Sequence, residues 1–243
     1  MTDVRAIVFD VDGTLADTED GHRQAYNRSF EEAGLGWHWD VPLYARLLEV
    51  TGGKERMRYF LRDFHPGGPP PDADALIQSL YARKTGIYTA MVRGGAIPLR
   101  PGIAALIARA HAAGLKLAVA TTTARENVEA LFDANLGDGW RERFAVLGCG
   151  DQVPNKKPAP DIYTLALARL GVDAAHAVGI EDSGNGIRSL HAAGLGIVAA
   201  PSPDYPVRPE VLALADARIA HLDELDAALV ERVAAQRAAR QEP

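Results

Sequence analysis

Cysteine is almost missing from this chain: Cys149 stands alone, so an internal disulfide framework is excluded and a reducing compartment suits the composition. The residue itself reads as a small buried hydrophobe. Long apolar runs are also missing, and none approaches the roughly 20 residues a bilayer span needs. The opening MTDVRAIVFD has too short an apolar part, and too early an aspartate, for a signal peptide. Basic residues are in deficit, with 26 Lys and Arg against 32 Asp and Glu and a net charge of −6. That balance argues against nucleic acid or an anionic membrane as a partner, though a few local cations can still define a pocket for a phosphorylated substrate. A Gly-x4-Gly-Lys-Ser/Thr loop and internal repeats are absent too. A cytoplasmic location is the expectation, and a monomer is the simplest one.

What is present is an alternation. The 243 residues suffice for one large domain, or a medium domain carrying an insertion. Short apolar runs predict strands near 4–9, 115–120, 144–148, 176–180, 195–200 and 217–220. Helical patterns lie between them at 102–113, 124–135, 160–170 and 184–193. Runs such as LKLAVA and HAVGI lack polar alternation, as expected of parallel strands covered on both faces. Gly114, Gly171 and Gly194 stand where left-handed helix caps belong. The fold class is α/β, a doubly wound, Rossmann-like parallel sheet.

One stretch breaks the pattern. Residues 18–93 read as helices only, near 18–33, 41–49, 54–64 and 73–92, with HPGGPPPDAD (65–74) as a loop. This is an inserted helical cap, leaving 1–17 and 94–243 as the α/β core. The closing LVERVAAQRAARQEP reads as a frayed helix end without a role.

In a parallel sheet, ligands bind beyond the carboxyl ends of the strands, so the residues delivered there matter most. The first strand delivers Asp10 and Asp12, two apart and therefore on one side of an extended segment. Two acids that close repel unless a cation lies between them or one is protonated. The bland alternative is that Asp12-Gly13 makes a turn. The second strand ends in Thr121, Thr122 and Thr123. Thr123 with Glu126 matches a capping box, while Thr121 is left at the strand tip beside a helix N-terminus suited to an anion. Lys157 precedes a proline and a helix start, from which its amine can reach back over the sheet. The HAVGI strand ends in Glu181 and Asp182, ahead of Ser183 as a helix cap. Carboxylates from two strands can hold one Mg²⁺, and Lys157 with Thr121 can hold phosphate oxygens. The set suits phosphoryl transfer, in which an aspartate can attack phosphorus. The residues alone leave open which of Asp10 and Asp12 attacks.

DVDGT, the threonine after LAVA, KKPAPD and GIEDS resemble the four motifs of haloacid dehalogenase-type phosphatases, in the right order. The helical insertion is similar to the C1 cap of the β-phosphoglucomutase-like subgroup. FDVDGTLADTE, TGGKER, LAVATTT, NVEAL and KKPAPDIY look closer still to the phosphatases of xylulose 1,5-bisphosphate linked to Rubisco and the Calvin cycle. The resemblance implies Asp10 as nucleophile and metal ligand. It implies Asp12 as acid and base, with its backbone carbonyl on the metal. Asp182 would be the third protein ligand, Glu181 would act through metal-bound water, and Thr121 and Lys157 would hold the transferring phosphoryl group. Mg²⁺ is the implied cofactor and a small phosphorylated sugar the implied partner. A β-phosphoglucomutase-like isomerase and a broad phosphoglycolate-type phosphatase are the alternatives.

Specificity is expected from the cap. Glu19 and His22, three apart, share a helix face where a carboxylate can accept from a sugar hydroxyl. Gly52 and Gly53 open a helix bearing Lys54 and Arg56, a candidate second anion site, and Thr122 is a further candidate substrate contact. In an ideal helix Lys54 and Arg58, rather than Lys54 and Arg56, would share a face. Which cations point inward is left open.

Overall fold

The computed structural model describes residues 4–50, 52–150 and 152–241. Its elements begin with β1 (Ala6–Phe9) and continue with four helices, α1 (Thr18–Glu32), α2 (Val41–Leu47), α3 (Gly53–Asp63) and α4 (Ala73–Arg93). Then follow α5 (Ile103–Ala112), β2 (Lys116–Ala120), α6 (Arg125–Leu136), α7 (Trp140–Arg143), β3 (Phe144–Gly148) and α8 (Asp161–Leu170). The chain ends with β4 (Ala177–Glu181), α9 (Gly184–Ala193), β5 (Gly196–Ala199), α10 (Pro209–Leu212), β6 (Ala217–Arg218) and α11 (Ala227–Gln241). The short helices α7 and α10 carry too few residues for a readable period, and the sequence patterns did not predict them.

The six strands form one parallel sheet in the order β3-β2-β1-β4-β5-β6. Every residue of β1, β4 and β5 is buried, which explains their unbroken apolar character. Because β1 lies between β2 and β4, the strand order reverses beside it, the place where a ligand crevice opens in a doubly wound sheet. Register lines the tips up: Phe9 pairs with Val119 on one side and Ile180 on the other. Asp10, Thr121 and Asp182 therefore leave the sheet as neighbours. The C-terminal segment is packed where it begins, because Leu229, Val230, Val233 and Ala234 of α11 are buried; its last two residues lie outside the described ones. An Ala/Arg-rich composition hid that apolar stripe.

The chain divides into two compact units, Met1–Thr18 with Ile97–Pro243, and Glu19–Ala96. The second unit is helical and its interior is aromatic. Trp39 is fully buried, with the rings of Tyr26, Phe30 and Phe60 at centroid distances of 4.5, 5.0 and 5.3 Å. Asn27 fixes its backbone from both sides, accepting from Trp39 N at 2.8 Å and donating to its carbonyl at 2.9 Å. No described helix is long and apolar enough to cross a membrane.

Candidate active site

The Asp12-Gly13 turn could have been only a turn; its neighbours make it more. Gly13 has φ +80°, and a Cβ there would lie 2.1 Å from Asp182 Oδ2. Only glycine permits the chain to bend this close to a carboxylate from another strand. The turn is tied down by Thr18, whose hydroxyl accepts from Gly13 N at 3.1 Å, and by Arg100, which donates to the Gly13 carbonyl at 2.7 Å. Thr14 donates to Asp182 Oδ1 at 3.1 Å.

Three carboxylates converge. One oxygen from each of Asp10, Glu181 and Asp182 lies within 4.8 Å of the others, and all three residues are buried. Lys157 meets them from the segment before α8, donating to Asp10 Oδ1 and Glu181 Oε1, both at 2.6 Å. Tyr163 donates to the same Glu181 oxygen at 2.7 Å, while Ser183 N and Oγ bond Glu181 Oε2 at 3.3 and 3.1 Å. Ser183 also caps α9 through Gly186 N. Gly186 packs against Glu181 so closely that a Cβ would sit 1.8 Å from its carboxyl carbon. Both Glu181 oxygens are thus engaged within the protein, one of them by Lys157.

The electrostatics follow from this crowding. Burial, then the charge of Glu181, raises the Asp10 carboxyl well above the usual carboxylate range against the pull of Lys157. Burial disfavours the Lys157 ammonium, but Asp10 and Glu181 outweigh it and hold the amine protonated. Burial and then Glu181 push the Tyr163 hydroxyl well up, keeping it a donor. Three buried carboxylates facing one ammonium leave an excess of negative charge. An oxygen-rich pocket of that kind fits a hard divalent cation such as Mg²⁺.

Asp12 is placed differently. Its Oδ2 meets the hydroxyls of Thr121, at 3.4 Å, and Thr123, in a short hydrogen bond. Thr123 therefore does not form the expected capping box. The N-cap of α6 is Ala124, without a side-chain bond, and the Thr123 hydroxyl is spent on the acid of the neighbouring strand. Thr122 is exposed.

The second unit holds a cluster of its own. Arg56 donates to Tyr44 OH at 2.8 Å, and Tyr44 donates to Glu19 Oε2 at 3.1 Å. Arg56 Nε is buried without a hydrogen-bond partner among the described residues. Lys84, 7% exposed, lies 2.9 Å from His22 Nδ1 and over the rings of Tyr26 and Tyr88 at 4.9 and 5.0 Å. Burial, then the charges of Lys84 and Arg56, holds the His22 pKa well below its ordinary value. The imidazole is thus neutral and accepts from the ammonium.

Of the TGGKER cations, Arg56 is the one drawn into this cluster. Lys54 lies over Tyr81 at 5.5 Å, and exposed Arg58 bonds Asp74. The ideal-helix pairing of Lys54 with Arg58 holds, since both side chains meet α4, at Tyr81 and Asp74, while Arg56 turns to Tyr44 of α2. Gly52 is the N-cap of α3, and the Gly53 carbonyl accepts from Tyr26 OH at 3.2 Å.

The haloacid dehalogenase-like hydrolase family model matches residues 4–194. The chain belongs to that family. It is an enzyme, a hydrolase of the phosphatase kind. Protein CbbY, plasmid, of Cupriavidus necator is 50% identical over 200 residues, 82% of this chain and 79% of that protein. CbbY from Rhodobacter sphaeroides in complex with phosphate shares 46% identity at a TM-score of 0.80, over 94% of this chain and 99% of that one. An aspartate-to-asparagine mutant of that CbbY, in complex with xylulose 1,5-bisphosphate, matches with the same identity and score over 93% and 99%.

The structure of this hydrolase brings Asp10, Asp12, Thr121, Lys157, Glu181 and Asp182 together at the strand tips. Sequence reasoning missed Thr14, Thr18, Arg100, Tyr163 and Thr123 here, and Lys84 and Tyr44 in the helical unit. Thr14, Ser183 and Tyr163 fall inside quoted motifs and were legible by position. Lys84 carried no signal, since a lysine in a helical pattern reads as a solvated face.

Proposed function

We propose that this hydrolase is a Mg²⁺-dependent phosphatase of a sugar bisphosphate, converting xylulose 1,5-bisphosphate to xylulose 5-phosphate through an aspartyl-phosphate on Asp10. The carrying observation is the buried Nε of Arg56, without a hydrogen-bond partner among the described residues, beside the Lys84–His22 pair. It offers an anion a second cationic site besides Lys157 and the strand tips, as a substrate with two phosphates requires.

In this reading Lys157 and Thr121 hold the oxygens of the phosphoryl group to be cleaved. An Asp10 oxygen forms a bond to phosphorus as the phosphorus–sugar oxygen bond breaks, and Asp12 gives its proton to the departing oxygen. Asp12, now a base, takes a proton from water. The water oxygen bonds phosphorus, the bond to Asp10 breaks, and inorganic phosphate leaves. Asp10, Asp182 and the Asp12 carbonyl, with Glu181 through water, would hold Mg²⁺, which would supply charge neutralisation at the phosphoryl oxygens. In the helical unit Arg56 and Lys84 would receive the second phosphate, and Glu19 a sugar hydroxyl.

The test is phosphate release with Mg²⁺ from xylulose 1,5-bisphosphate, ribulose 1,5-bisphosphate, glucose phosphates and phosphoglycolate, with Asp10→Asn as blank. A kcat/KM for xylulose 1,5-bisphosphate at least about 100-fold above the others supports the assignment. A flat profile removes the named substrate, and an isomerised sugar phosphate in place of free phosphate would make the enzyme a mutase.

A further inference from the structure

We infer that Thr123 is a positioning residue for Asp12, holding that carboxylate in the orientation from which it exchanges a proton with the leaving oxygen and then with water. The inference rests on the acid–base reading of Asp12 given above. Adjacent parallel strands bring the two together: β1 and β2 are in register through Phe9 and Val119, and the chains run on to Asp12 and Thr123. The Thr123 hydroxyl hydrogen-bonds Asp12 Oδ2, and Thr123 N donates to Thr121 Oγ1 at 3.1 Å.

Two hydroxyls thus reach one carboxylate oxygen, but they are not equivalent. The Thr121 contact is long, at 3.4 Å, and in the proposed reaction that hydroxyl is claimed by the phosphoryl group. Thr123 is the one left to hold Asp12 while phosphorus is bound. Nothing local asks for its hydroxyl, since α6 starts at Arg125 with Ala124 as an N-cap lacking a side-chain bond. An aspartate with two rotatable bonds on a turn loses proton-transfer efficiency unless its plane is fixed, because transfer depends on hydrogen-bond geometry before it depends on acidity.

The discriminating measurement is leaving-group dependence. A sugar alkoxide must be protonated as it departs, whereas p-nitrophenolate leaves without help. Thr123→Val is expected to slow turnover of the bisphosphate by about 10- to 100-fold. In stopped flow with p-nitrophenyl phosphate, the first release of nitrophenolate should slow by less than about threefold, and a burst should appear because the water step still needs Asp12. The inhibition constant of inorganic phosphate should stay unchanged, and Thr123→Ser should restore turnover to within about threefold. Thr123→Val slowing both substrates alike, raising the phosphate inhibition constant, or slowing neither would overturn the inference while leaving the function intact. Asp12→Asn is the control on the underlying reading. It must show the same selective loss, only larger; equal loss on both substrates would sink the acid–base role of Asp12 and this inference with it. A Thr123→Ala variant repeats the comparison if the valine protein melts below the wild type.

Discussion

The two units bury opposite charge. In the α/β unit, three carboxylates cluster, Lys157 pairs with two of them, and burial with mutual repulsion raises the Asp10 pKa. In the helical unit, Arg56 reaches the carboxylate of Glu19 through Tyr44, and burial with the charges of Lys84 and Arg56 keeps a proton off His22. Uncompensated buried charge costs several kcal/mol per ion and persists where something else supplies the counter-charge. The first cluster carries an excess of acid and the second an excess of base. The interiors differ as well: the α/β unit packs aliphatic strands under helices, whereas the helical unit relies on rings around Trp39.

The largest effect that could break this contrast is Trp39→Ala. Removing a fully buried indole should cost about 3–5 kcal/mol and open the helical unit first. Hydrogen exchange should show early loss of protection in 19–96 with the sheet still protected; uniform loss would mean the units share one stability. Next comes metal. Mg²⁺ at 100 times its dissociation constant should stabilise the protein by about 2.7 kcal/mol, read from thermal melts. Asp182→Ala should remove that shift, and an unchanged shift would place the cation elsewhere.

A smaller effect separates the two anion sites. Arg56→Leu should weaken the bisphosphate by about 2 kcal/mol, roughly 30-fold in KM, while p-nitrophenyl phosphate turnover stays within about threefold. Equal loss on both substrates would tie Arg56 to the chemistry. The smallest effect is a pH slope. His22 has a folded pKa depressed below its unfolded value near 6.5, so its contribution to stability is complete above that pH. As pH falls below about 6.5, the unfolded chain takes up a proton that the folded one refuses, and up to about 1.4 kcal/mol is lost per pH unit. His22→Gln should flatten the fall between pH 7 and pH 5 relative to wild type in denaturant titrations; parallel curves would show that His22 titrates normally.

Local pattern alone determined the six strands, the long helices and the all-helical insertion. Each rests on hydrophobic period or on glycine and proline punctuation, which act within a few residues. It also determined the acids, the lysine and the threonine at the strand tips, because parallel-sheet geometry delivers ligands there whatever the surrounding packing. What the tertiary structure decided were pairings across the fold. Thr123 met an acid from another strand instead of capping its own helix, and Tyr163 settled on Glu181. Arg56, rather than Arg58, turned toward Tyr44, and Lys84 found a neutral histidine sixty-two residues away. The C-terminal helix proved to be packed through Leu229, Val230, Val233 and Ala234. A hydroxyl or a cation has several partners of nearly equal local merit. The choice among them is made by burial, which removes water as the competing partner only once distant segments have come together.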